Sequence, residues 1–265
     1  MSAGLFHLIN PYYAFSGFII GFLVGMTGVG GGSLMTPLLI LLFKFHPATA
    51  VGTDLLYASI TKSGGTVVHG FKKSIDWTIV GRLAAGSVPA TAVTIGLLAI
   101  YHKKTVAASN LISVVLGGAL MLTAIVLLFR TPIINYLKAS IKPVSPRKLT
   151  TLTVITGAIL GVMVSLSSVG AGAIGVTVLL ILYPTIPTVR LVGSDIAHAV
   201  PLTLIAGIGH WFLGDINVHL LVSLLAGSIP GIIIASNLAV RVPDRVLRPV
   251  MAVTLVLVAG RLLGI

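Results

Sequence analysis

The stretch Gly21-Phe-Leu-Val-Gly25-Met-Thr-Gly28-Val-Gly30-Gly31-Gly32 breaks an apolar run with a cluster of glycines. It recurs 140 residues later as Gly161-Val-Met-Val-Ser165-Leu-Ser-Ser168-Val-Gly170-Ala-Gly172. Further echoes follow at an offset of 141: Val51-Gly52-Thr53-Asp54 with Val192-Gly193-Ser194-Asp195, His69 with His210, and Gly86-Ser87-Val88-Pro89 with Gly227-Ser228-Ile229-Pro230. Duplicated halves with matched breaks in their hydrophobic segments point to the midplane site of a secondary transporter.

Composition supports a membrane setting. Apolar residues make up 56% of the chain and charged residues 8%, with mean hydropathy +1.11. A soluble domain carries roughly 25% charged residues. The net charge is +12, from 17 Lys and Arg against five acids, all aspartate. The basic residues lie mostly in short loops between apolar runs. That distribution favours anionic headgroups and a topological role over nucleic acid. Cysteine is absent, so thiol chemistry is excluded, and no removable signal peptide is read in residues 1–11.

The apolar runs predict about ten helices, five per half: 12–28, 33–45, 49–69, 77–101 and 106–129, then 152–168, 174–183, 189–212, 218–238 and 246–263. A full span needs about 20 apolar residues. The second helix of each half falls short of that and starts just after the glycine break. The expected fold is an all-α polytopic membrane protein built from two inverted repeats, each with one half-helix. The expected organisation is a first repeat over 1–129, a basic linker over 130–150 and a second repeat over 151–265. The linker holds Arg130, Lys138, Lys142, Arg147 and Lys148, which predicts a cytoplasmic location. Five crossings per half then put eleven of the 17 basic residues on that side. An odd number of crossings inverts the second copy.

These residues resemble a known family. The glycine motif with Pro37, Ala50-x-Gly52-Thr53-Asp54, His69-Gly70 and Ile75-Asp76-Trp77 look like the TauE/SafE sulfite exporter family, which is similar to 4-toluene sulfonate uptake permeases. The looser second copy, Ser168 to Asp195, falls where that family's second repeat falls. The resemblance implies a multi-pass cell-membrane transporter of sulfite, organosulfonates or related small anions. The copies differ: Gly28 becomes Ser168, Gly31 becomes Ala171, and Tyr57 becomes His198.

The chemistry follows from helix starts. A half-helix begins with free N–H groups and partial positive charge, and glycines let an anion approach the backbone. The candidate substrate-binding residues are Gly28, Gly30, Gly31, Gly32, Ser33, Thr53, Ser168, Gly170, Gly172 and Ser194, with Thr27 and Ser167 as further hydroxyls. Close helix packing also uses small residues. Asp54 and Asp195 occupy equivalent places in the third helices, and ionisable groups at that depth are costly. Asp54, Asp195 and His198 are read as a proton-coupling set, with helix capping as the competing role for both aspartates. Lys62, His69 and His210 are candidates for anion attraction or gating. No cofactor or metal motif is evident. The expected function is proton-coupled export of small sulfur-containing oxyanions or organosulfonates by alternating access. An intramembrane hydrolase and a non-transporting scaffold are the alternatives.

Overall fold

The computed structural model describes residues 9–27, 32–102, 106–140, 145–237 and 244–265. These form eleven helices and no strand. In chain order they are α1 (Pro11–Thr27), α2 (Gly32–Leu41), α3 (Pro47–Phe71), α4 (Trp77–His102), α5 (Val106–Leu128), α6 (Arg130–Ser140), α7 (Pro146–Ser167), α8 (Ile174–Leu182), α9 (Thr188–Leu213), α10 (Val218–Asn237) and α11 (Asp244–Leu263). The five segments expected in each half are present, with ends shifted by a few residues.

The segment 130–150 is more ordered than a linker reading suggests. It carries α6, and α7 already begins at Pro146. Proline is favourable there because the first helical N–H has no intrahelical partner, and the fixed φ suits a helix start. Ser145 precedes it in extended backbone, at φ −60° and ψ 150°.

Four described helices are long and apolar enough to cross a membrane: α4, α7, α9 and α10. The half-helices α2 and α8 have 10 and nine residues, which at 1.5 Å per residue cannot span roughly 30 Å of hydrocarbon. Of the most apolar window of each helix, 67% is buried inside the protein in α9 but only 28% in α4. So α9 is central, and α4 presents Val93, Leu97 and Ile100 outward. In a bilayer such a ridge meets lipid tails without penalty.

The packing exchanges partners between the halves. α1 lies along α10, while the equivalent α7 lies along α4; α3 runs antiparallel to α9, and α5 packs on α11. Glycines set the close approaches. A Cβ at Gly17 or Gly21 would collide with the backbone of Leu224 or Ser228 of α10. At Gly157 or Gly161 it would collide with Leu83 or Ser87 of α4. Each contact in the second pair repeats one in the first, shifted by the repeat offset. Small residues at such crossings let backbones touch where no hydrophobic force operates between helices.

Helix ends are tied in the same exchanged fashion. Ser194 Oγ accepts the N–H of Asp76 at 2.8 Å, and Thr53 Oγ1 accepts the N–H of Asn217 at 3.1 Å. Asp76 Oδ1 in turn accepts the N–H groups of Thr78 and Ile79, and Asn217 Oδ1 accepts that of Leu220. These side chains satisfy the open amides at the starts of α4 and α10.

Candidate functional site

The second glycine break shows how the chain stops and restarts inside the fold. α7 ends at Ser168 in the left-handed region, with φ 56°, and Gly170 and Gly172 follow at φ 123° and 102°. A side chain at either glycine would be strained. Ser167 staples the turn: its Oγ lies 2.7 Å from Met163 O and accepts the Val169 N–H at 3.2 Å. α8 then opens with Ile174, whose N–H reaches Gly170 O at 3.0 Å. In the first break, Gly28, Gly30 and Gly31 lie outside the described residues. Gly32 opens α2, and Ser33 is its second residue.

Asp54 and Asp195 are both buried, one on each of the paired helices α3 and α9. Neither caps its own helix, since α3 and α9 start several residues earlier. Asp54 instead binds the first half-helix: Oδ2 accepts the Thr36 N–H at 3.2 Å and the Thr36 hydroxyl at 2.5 Å. Ser168, from the second break, approaches the same carboxylate without closing a hydrogen bond of standard geometry. The first half-helix and the second break therefore meet at Asp54. Asp195 faces the second break, where the Gly172 amide points toward it. A Cβ at Gly175 would overlap Asp195 Oδ1, so this glycine makes the room that the carboxylate uses.

Lys62 stands one face further along α3. It is buried and lies within electrostatic reach of Asp54, Asp195 and His198. Among the described residues its ammonium closes no ion pair with either carboxylate. Its repeat partner Thr203 carries no charge; Arg130 of α6 also acts on Asp195.

The two sides of this cluster are chemically unlike. Tyr57, on α3, sits near Ser228 of α10. The equivalent His198, on α9, sits against Ser87 of α4, with Nε2 and Oγ 2.8 Å apart. All four are buried. Six polar atoms in the cluster have no hydrogen-bond partner among the described residues: Asp54 Oδ1, Tyr57 Oη, Ser168 Oγ, Asp195 Oδ1, His198 Nδ1 and Ser228 Oγ. Buried polar groups in folded proteins are nearly always satisfied. A concentration of exceptions in one place makes this cluster the candidate site.

Thr53 and Ser194 are engaged in the helix-end ties above, not in this cluster. His69 and His210 sit at the opposite ends of their helices. His69 Nδ1 lies 2.8 Å from Ser74 Oγ, and His210 Nδ1 lies 3.1 Å from Asp215 Oδ2, with Nε2 2.9 Å from Ser165 O. Each ring pins its helix to the turn that follows it. The Ser87–His198 pair has the separation of a nucleophile and its base. However, His198 Nδ1 meets no acidic orienting group, which the triad logic requires.

Thr36, Tyr57, Ser87, Gly175 and Ser228 join the site without having been singled out as site residues from the sequence. The signal for Ser87 and Ser228 was present: both lie in the repeated Gly-Ser-(Val/Ile)-Pro motif. There the motif marks duplication, and only the fold brings its serine onto the neighbouring repeat.

Apolar helices around a buried, charged, two-sided polar cluster define a multi-pass membrane transporter. The family comparison agrees: residues 13–262 match the model of the sulfite exporter TauE/SafE family, and the chain belongs to that family. It is 38% identical over 247 residues to "Probable membrane transporter protein YjnA" of Bacillus subtilis (strain 168), covering 92% of this chain and 95% of the relative. It is 27% identical over 244 residues to "Probable membrane transporter protein YdhB" of the same organism, covering 89% and 93%. No solved structure matches the chain.

Proposed function

We propose that the protein is a secondary transporter that exports small sulfur-containing oxyanions or organosulfonates such as sulfite. The substrate sits between the two repeats and moves with protons. The observation that carries this reading is the meeting of the first half-helix and the second break beside the buried Asp54, Lys62 and Asp195. Half-helix amides and hydroxyls supply donors there, and Lys62, with Arg130 acting on Asp195, offsets the carboxylates.

Alternating access is the mechanism that the exchanged packing supports. α3 and α9 run antiparallel and touch at glycines near both ends, with Gly52 against His210 and Asp215, and Gly193 against His69 and Ser74. Rocking one repeat against the other about this seam opens one end while the other stays closed. The histidine pins then act as the latches of the two ends. Asp54, Asp195 and His198 take up and release the coupled proton, and Lys62 attracts the anion. The linker side faces the cytoplasm, the repeats are inverted and the cell membrane is the site of action.

The test is flux. Purified protein in liposomes, with an outward sulfite gradient and an internal pH dye, should move sulfite and protons together. Anion flux that is indifferent to a proton gradient would remove the coupling. No flux of sulfite or any sulfonate would remove the transport assignment.

A further inference from the structure

Deepening the anion-site reading on which it rests, we infer that the site selects singly charged anions that carry a hydrogen-bond donor of their own, such as a protonated oxyanion or a hydroxyl-bearing sulfonate. Bare dianions and donor-less monoanions are bound more weakly. The six unpartnered atoms divide by chemistry. Three are hydroxyls, on Tyr57, Ser168 and Ser228, which can donate to a ligand's oxygens. Two are carboxylate oxygens, Oδ1 of Asp54 and of Asp195, which when ionised only accept, and the sixth, His198 Nδ1, donates or accepts according to its tautomer.

A guest made only of acceptor oxygens would pair with the hydroxyls but leave both carboxylate oxygens facing its negative charge. Leaving a buried polar atom unpaired is costly, and more so when it is charged. A guest with one O–H or N–H pairs with a carboxylate while its remaining oxygens take the hydroxyls.

Charge leads to the same class. The cluster holds two buried carboxylates; Lys62 lies within electrostatic reach of both, and Arg130 within reach of Asp195. A dianion would add two negative charges to a site whose own charges at best cancel. Like charges a few ångströms apart in low dielectric repel strongly. A monoanion that shares its proton with a carboxylate keeps the site nearer balance, and that shared proton is the one carried with the substrate.

The experiment compares three probes on the purified protein at one pH near neutrality: methanesulfonate, hydroxymethanesulfonate and sulfate. The first two have equal charge and differ by one hydroxyl. Thermal stabilisation gives apparent affinities by mass action. Hydroxymethanesulfonate should bind at least about tenfold more tightly than methanesulfonate, which is one hydrogen bond's worth, and sulfate more weakly than both. In Asp195→Asn the amide can present an N–H, so the gap should narrow to within about threefold. Methanesulfonate or sulfate binding as tightly as the hydroxylated probe to the unsubstituted protein would overturn the inference while leaving an anion site in place. Binding by none of the three would remove the anion site, and the inference with it.

Discussion

Thr36 holds Asp54 through two donors: its backbone N–H and its hydroxyl both reach Oδ2, at 3.2 and 2.5 Å. This contact locks a half-helix that is too short to span the bilayer onto the buried carboxylate of the crossing helix. It also fixes which carboxylate oxygen remains open, because Oδ2 is occupied and Oδ1 is not.

Thr36→Val keeps the shape and the amide but deletes the hydroxyl. A hydrogen bond to a charged acceptor contributes about 1.5–3 kcal/mol, and pairs within membrane proteins fall at or below the low end. The variant should insert normally, melt a few degrees lower in detergent and lose most of its anion flux. Unchanged melting and unchanged flux would show that the contact neither stabilises the half-helix nor positions Asp54.

Gly175→Ala places a methyl group where Asp195 Oδ1 sits. Overpacking of this kind costs about 1–3 kcal/mol, and the carboxylate must move. Anion affinity should fall by at least about tenfold. Gly64→Ala is the matched control, since nothing lies within 4 Å of its added Cβ, and it should behave as the unsubstituted protein. Equal affinity in the two variants would detach Asp195 from the site.

Asp195→Asn removes one buried carboxylate and keeps its size. Proton movement coupled to anion flux should disappear or fall sharply, while the amount of protein inserted in the membrane stays constant. Full pH-dependent flux in this variant would assign coupling elsewhere.

Orientation can be read with cysteines, because the chain has none. Phe71 and Phe212 are repeat equivalents at the ends of α3 and α9, and both are exposed. If the repeats are inverted, an impermeant maleimide should label Phe71→Cys and Phe212→Cys from opposite faces of the membrane. Phe71→Cys should share its face with Lys148→Cys of the linker. Labelling of both phenylalanine positions from one face would make the repeats parallel.

Much of this molecule was legible before its fold. The helices follow from apolar runs punctuated by Gly and Pro, since local hydrophobicity and backbone preference act over a few residues. The half-helices follow from their length, and the pair of buried acids follows from the cost of placing charge at that depth. The linker was less legible: α6 is short, close to neutral in average hydrophobicity, and set among basic residues and prolines.

What the sequence by itself determined is a set of helices, their duplication and their costly charged residues, all of which are short-range properties of the chain. Only the tertiary structure decided that α1 pairs with α10 and α7 with α4, and so which hydroxyl meets which carboxylate. Ser87 reaches His198 across 111 positions, and Ser228 comes near Tyr57 from the other half. Such meetings depend on glycine contacts between distant helices. In lipid, where every apolar face is equally content, no periodicity in the chain records which neighbour a helix chooses.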